Sequence, residues 1–277
     1  RLNLMKEIMN IKSKLLILLM IVAVLPMTVN GGNDKGKGKG NSSPSLKAGA
    51  AYIMQINNIT MPMNRAGVMA NVLVNGIELG RLDGDAFLFS GGFFLSGITN
   101  GGMWANAVAS ASRIEDYVPG TYATGRNDSR AQLYVLKATD GDFSDSWNEW
   151  KDAVALGAYF HDGDGDGVYN PVDLNGNGKW DATEDRPDLI GDETVWCVYH
   201  DAIDPALRRY NDVSPQGIEI RQTVFGFNSK GVVGNMLFLR YSLLNTGSVA
   251  DKIDSVYFGV WADPDVGDAN DDLVGCD

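Results

Sequence analysis

A mainly β fold, an antiparallel β-sandwich with one short helix and an inserted double loop, follows from three features of the sequence. Short apolar runs rich in β-branched and aromatic residues are bounded by Gly, Asn and Asp. Glycine is abundant at 33 residues while proline stays at 9, as in a chain with many turns. One segment, residues 161 to 185, places an acidic or amide side chain at nearly every second position and separates them with glycines. The chain has 277 residues, 44% of them hydrophobic, enough for a substantial core in one large or two ordinary domains.

Residues 1–31 read as a signal peptide. Lys12 and Lys14 precede the apolar run LLILLMIVAVL, Leu15 to Leu25, then come Pro26 and small residues with a cleavage point near Gly31. That run is too short to cross about 30 Å of hydrocarbon as a helix, which argues against a permanent membrane span. No cysteine follows it, so no lipid anchor is indicated. The chain begins at Arg1, with candidate starts at Met5 and Met9. Residues 32–49, rich in Gly, Lys and Ser, read as a flexible linker.

Charge divides the chain at the same place. The whole carries −12, but residues 1 to 48 hold eight basic and two acidic side chains, which leaves the remainder at −18. Such a surface repels phosphate backbones, excludes nucleic acid as a partner and points to a cation as counter-charge.

Residues 50–143 read as an N-terminal β region. Candidate strands are 52–56, 68–74, 86–89, 93–98 and 132–138, with a further one at 194–199. Residues 194–277 read as a β-sandwich region. GIEIRQTVFGF, MLFLRYSLL and DSVYFGVWAD alternate with period two, and the last puts Val256, Phe258 and Val260 on one face. Three consecutive antiparallel strands of this kind suit an immunoglobulin-like or jelly-roll-like sandwich. Between the two regions, 144–193 carries a helix and the double loop. SDSWNEWKDAVALGAYF spaces Trp147, Trp150, Val154 and Ala158 by three and four, with Ser144 or Ser146 as cap, and predicts a helix over 144–160. The tryptophan pair reads as a packed face rather than a sugar platform.

The double loop has the spacing of a calcium cage. Calcium takes six to eight oxygens, and a twelve-residue loop supplies them from positions 1, 3, 5, 7, 9 and 12, with Gly at 6. Counting from Asp162 gives Asp162, Asp164, Asp166, the carbonyl of Val168, Asn170 and Asp173, with Gly167 sixth. Counting from Asp173 gives Asp173, Asn175, Asn177, the carbonyl of Lys179, Asp181 and Glu184, with Gly178 sixth. Asp173 would thus end one loop and begin the next. From Asp140 to Glu193 there are 15 acids against three bases, so compaction calls for a neutralising ion. Two calcium ions are expected, and Asp188, Asp192 or Glu193 could add a ligand.

A second acidic cluster, Asp263, Asp265, Asp268, Asp271, Asp272 and Asp277, lies at the far end without basic partners and is a candidate for one further calcium. Cys197 and Cys276 form either one disulfide or two buried thiols. No catalytic signature stands out. His161 and His200 lack a nucleophile nearby in sequence, and His200-Asp201 would be a base with its orienter or an ordinary structural pair.

The double loop resembles the EF-hand-like calcium loops of dockerins and of thrombospondin type 3 repeats. It departs from a true EF-hand, because Pro171 and Arg186-Pro187 prevent normal exit helices. That predicts a static staple with affinity of about 0.1 to 1 mM rather than a switch. SGGFFLSGITNGGMWANAVASAS, the double loop with RPDLIGDETVWCVYHD, and DSVYFGVWADPDVGDANDD together resemble large exported proteins of Gram-negative bacteria that use type IX secretion. The resemblance implies an extracellular or cell-surface β-sandwich protein. The end of the sequence inside an acidic loop past Cys276 reads as a piece of a longer protein. The expected function is a secreted, calcium-stabilised structural or adhesive protein, with surface glycans or other surface proteins as partners. The alternative is part of a secreted glycoside or peptide hydrolase, or a dockerin-like module of a polysaccharide-degrading assembly.

Overall fold

The computed structural model describes residues 16–23, 49–108, 116–208 and 211–267. Among the described residues the chain is mainly β, with antiparallel sheets and one α-helix. Residues 16–23 form β1 (Leu16–Ala23), which leads to β2 (Ala51–Met54), β3 (Ile59–Asn64), β4 (Gly80–Leu82), β5 (Asp85–Thr99) and β6 (Gly102–Ala107). Two short strands follow, β7 (Val118–Pro119) and β8 (Tyr134–Lys137), then the helix α1 (Asp145–Ala155). The mini-strands β9 (Phe160–His161) and β10 (Arg186–Pro187) flank the double loop, and β11 (Glu193–His200), β12 (Ile218–Gly226), β13 (Met236–Asn245) and β14 (Asp254–Pro264) complete the order.

One sheet runs β1-β13-β12-β11-β7, with β8 also on β11, and the other runs β14-β5-β4-β3-β2, with β6 also on β5. Both sheets draw on residues before and after the helix, so the two β regions of the sequence share one core. Met54, Met63, Phe93 and Leu95 of one sheet meet Val195, Tyr199, Leu239 and Tyr241 of the other there. A second cluster lies outside the sandwich, where Trp147 and Trp150 of α1 pack on Tyr134, Leu136, Trp196 and Val198. All eight residues of β11 are buried, with Val195, Cys197 and Tyr199 in the first core and Trp196 and Val198 under the helix. This explains why ETVWCVYH is apolar at consecutive positions instead of alternating.

The helix is shorter than its sequence period. It stops at Ala155 because Gly157 turns back with φ +100, where a Cβ would run into the Arg221 guanidinium. Trp147 and Trp150 are buried as a packed face. Ser144 is the N-cap, with no side-chain cap bond, while the Ser146 hydroxyl donates to Asp140 Oδ2 at 2.9 Å.

Several strands differ from expectation for reasons visible in the packing. The runs 86–89 and 93–98 are one 15-residue strand, because Ser90-Gly91-Gly92 stays extended. Gly92 is pressed so close to the Val108 carbonyl and the Trp261 ring that a Cβ there would lie 2.9 Å from the former. The run 68–74 is not a strand, since Ala70 and Asn71 have left-handed backbone and only isolated bridges form, at Met69 and Val74. Conversely, β3 forms through Pro62, which accepts at its carbonyl from Ala70 N–H at 2.8 Å and needs no donor. The last three strands are not consecutive neighbours: β12 pairs with β13, but β14 crosses to the other sheet and pairs with β5. The apolar run read as a leader includes β1, eight residues paired antiparallel with β13. No helix among the described residues is long and apolar enough to cross a membrane.

Candidate metal centre

The double loop is clamped at its base. Phe160 and His161 pair antiparallel with Pro187 and Arg186, so residues 162 to 185 leave and re-enter the fold at one point. Strands replace the paired helices of an EF-hand on the exit side, as Pro187 requires. Two aromatic side chains anchor the excursion to the outer cluster. Tyr169 is buried and donates from its hydroxyl to the Trp147 carbonyl at 2.9 Å, and Trp180 Nε1 donates to the Glu184 carbonyl at 2.8 Å.

Within the clamp the two loops repeat one network at an offset of eleven residues. In the first, Asp162 accepts from Gly165 and Gly167 N–H at 2.8 and 3.0 Å, Asp164 from Asp166 at 3.1 Å, and Asp166 from Val168 at 2.7 Å. In the second, Asp173 accepts from Gly176 and Gly178 N–H at 2.7 Å each, Asn175 from Asn177 at 3.0 Å, and Asn177 from Lys179 at 2.7 Å. Gly167 and Gly178 both have left-handed backbone, with φ +78 and +73, which is why the sixth position is glycine twice. In the first loop these bonds hold the carboxylates of positions 1, 3 and 5 together despite their like charge.

Ligand oxygens of Asp162, Asp164 and Asp166 all lie within 4.8 Å of one another, and this group can hold a metal ion. Among the described residues no other group of three or more carboxylates, thiols or imidazoles converges so tightly. Its three donors are carboxylate oxygens, hard ligands suited to calcium or magnesium rather than to zinc or copper. In the second loop Asn175 and Asn177 replace two of the three carboxylates, and Asn175 Nδ2 donates to Asp181 Oδ2 at 2.7 Å. The Thr183 hydroxyl and N–H hold the Asp181 carboxyl below its usual range. Lys151 Nζ reaches Asn170 Oδ1 at 3.3 Å, placing an ammonium beside the ninth position of the first loop.

The closing carboxylates differ from the sequence reading. Glu184 is buried and accepts from Leu174 and Asp181 N–H at 2.7 and 3.1 Å, the second and ninth positions of its loop. In the first loop the same two positions, Gly163 and Asn170, donate to Asp185 at 3.0 and 2.7 Å. Asp173, read as the shared twelfth residue, turns its carboxylate to Gly176, Asn177 and Gly178 instead. Asp185 therefore stands in the first loop where Glu184 stands in the second, and a carboxylate directly after Glu184 was the signal available for it. Gly163 lies against the Glu184 backbone, where a Cβ has no room. Gly163→Ala is expected to push the first loop off its clamp and cost about 1 to 3 kcal/mol, measured by urea denaturation.

The remaining candidates fall elsewhere. Asp188 pairs with Arg240, Asp192 accepts from Asn228 N–H, and Glu193 bonds Tyr52, so none of the three completes a loop. Asp263 lies at the end of β14 and Asp265 just after it, with no tight carboxylate group around them among the described residues, while Asp268, Asp271, Asp272 and Asp277 lie outside those residues. Cys197 is a free, buried thiol pushed up to about 12 by burial, and Cys276 lies outside the described residues.

His200 and Asp201 do not form a base with its orienter. His200 Nδ1 accepts from Ala202 N–H at 3.1 Å, whereas Asp201 accepts from Gln216 and Ile218 N–H and faces Arg208. Burial, with the charge of Arg126 adding to it, holds the His200 imidazole down to about 4. The unfolded chain takes up this proton near pH 6.5, so the stabilisation is complete above that value and is lost as pH falls toward 4. The loss amounts to about 3 kcal/mol. Denaturation at several pH values should give a shallower acid slope for His200→Gln than for the unaltered chain.

Comparison of the chain with protein-family models, with curated proteins and with solved structures finds no match. Fold and site together define a mainly antiparallel β protein with a clamped, acidic double loop and a carboxylate group able to hold a metal ion.

Proposed function

We propose that both loops bind calcium, one ion each, and that the ions act as static staples in an exported structural or adhesive surface protein. The observation that carries this reading is the repetition of one inward-turned oxygen network in two loops eleven residues apart. A structural role follows from the mounting. In a switching EF-hand the ion moves one helix against another; here the loops end in a two-stranded clamp and rest on buried aromatic side chains, so the ion has no hinge to work. The leader-like run, the anionic surface and the likeness to type IX-secreted proteins support export, where millimolar calcium matches sites of this type. Surface glycans or other surface proteins are the partners proposed.

Calorimetric titration of the chelated chain with calcium tests the metal assignment. Two sites of about 0.1 to 1 mM are expected. Asp162→Asn should remove the first and leave the second, and Asp173→Asn the reverse. Absence of calcium uptake by the unaltered chain would refute the assignment.

A further inference from the structure

We propose that Asn175 and Asn177 are deamidation sites and that the Asp173 carboxylate sets the rate at which they convert. Asparagine followed by glycine is the pair most open to this reaction, because no Cβ on the second residue shields its backbone nitrogen. The second loop holds two such pairs in succession, Asn175-Gly176 and Asn177-Gly178. In the reaction the glycine nitrogen gives up its proton to hydroxide from the solvent and attacks the side-chain carbonyl carbon of the asparagine. A C–N bond closes a succinimide ring, the Cγ–Nδ2 bond breaks, and ammonia leaves with a proton taken from water. Water then opens the ring at either carbonyl. One product is aspartate; the other, isoaspartate, has one more carbon in the main chain.

Residues 175 to 179 are exposed, so water and hydroxide reach both pairs. What restrains them is one side chain. Gly176 N–H and Gly178 N–H each donate to the Asp173 carboxylate at 2.7 Å, so both attacking nitrogens are held by the same anion. A proton shared with a carboxylate is hard to remove, and the charge that its loss leaves on nitrogen is repelled by that carboxylate. The carboxamides are tied as well. Asn175 Oδ1 accepts from Asn177 N–H at 3.0 Å and its Nδ2 donates to Asp181 Oδ2 at 2.7 Å, while Asn177 Oδ1 accepts from Lys179 N–H at 2.7 Å. Each carboxamide must break these bonds before its carbon can meet the glycine nitrogen. Conversion to aspartate gives the second loop the carboxylates that Asp164 and Asp166 supply in the first. Conversion to isoaspartate lengthens the backbone and ends the repeat between the loops. The inference stands on these bonds and is independent of the metal assignment.

The test incubates the full chain at mildly alkaline pH, with a chelator present throughout, and follows each asparagine by peptide mass spectrometry. Asn100-Gly101, which joins β5 to β6, is the reference pair within the same chain. Asp173→Ala should speed the loss of Asn175 and Asn177 at least about tenfold, the rate equivalent of a charge-assisted bond to each nitrogen, and leave Asn100 unchanged. Equal rates at Asn175 and Asn177 in the two chains would overturn the proposal. Should Asn100 accelerate as well, the variant has lost its fold and Asp173→Asn decides. That change keeps an acceptor oxygen and removes the charge, so both asparagines should convert about fivefold faster with Asn100 unchanged. No acceleration there overturns the proposal.

Discussion

Chelation of calcium is expected to lower the melting temperature by about 10 °C. At about 10 mM free ion and a dissociation constant of about 0.1 to 1 mM, mass action gives each site about 1.4 to 2.7 kcal/mol, so two sites give about 3 to 5. A chain of this size moves about 2 to 4 °C per kcal/mol. The charge argument leads the same way, because the segment from Asp140 to Glu193 carries 15 acids and three bases and its inward oxygens repel one another without an ion. General screening is separable from site binding. Sodium chloride at about 0.5 M shortens the Debye length to a few ångströms and weakens repulsion among exposed carboxylates, but it offers no ion able to gather six oxygens. Calcium should restore the lost temperature and sodium should not. Asp162→Asn should forfeit about half of the shift. If the purified protein holds no metal and melts at the same temperature before and after chelation, the stapling role is excluded.

The loops were legible because their information is local. Ligand spacing, the glycine at position six and the acidic excess all fall within 25 consecutive residues, 161 to 185, and the hydrogen bonds that shape the cage span five residues or fewer. The helix was legible for the same reason, up to Gly157, whose constraint comes from Arg221 on a distant strand. What escaped is non-local. Asp185 closes the first loop only because the chain returns through the clamp, and a linear template starting at Asp162 assigns that place to Asp173. The passage of β14 to the far sheet was equally hidden. Alternation fixes which residues share a face, not which strand lies alongside, and the partner of β14 is a strand some 160 residues earlier whose glycine pair reads as a turn.

Asp201→Ala is expected to destabilise the protein by about 3 to 5 kcal/mol, the cost of leaving a buried charge without its partner. Both side chains of the pair are wholly shielded from water, with Arg208 Nη2 3.8 Å from Asp201 Oδ2. The guanidinium also donates to the carbonyls of Asp201 and Ile203, so it is fixed by its own turn and cannot withdraw to solvent. Asp201 carries a second duty. Its carboxylate accepts from Gln216 N–H at 2.6 Å and from Ile218 N–H at 2.9 Å, which secures the entry to β12 beside the end of β11. Burial pushes the Asp201 carboxyl up, and these two N–H groups and Arg208 oppose that push. Truncation to alanine removes the counter-charge and two acceptors together. Asp201→Asn keeps an acceptor oxygen and should cost less, which separates the hydrogen bonds from the charge. Arg208→Met removes the other partner, and a double-mutant cycle with Asp201→Asn should recover at least 1 kcal/mol relative to the sum of the single losses, since the double variant buries no charge in this pair. Strict additivity in urea denaturation would mean that the two groups are held separately by the backbone and that their attraction contributes nothing.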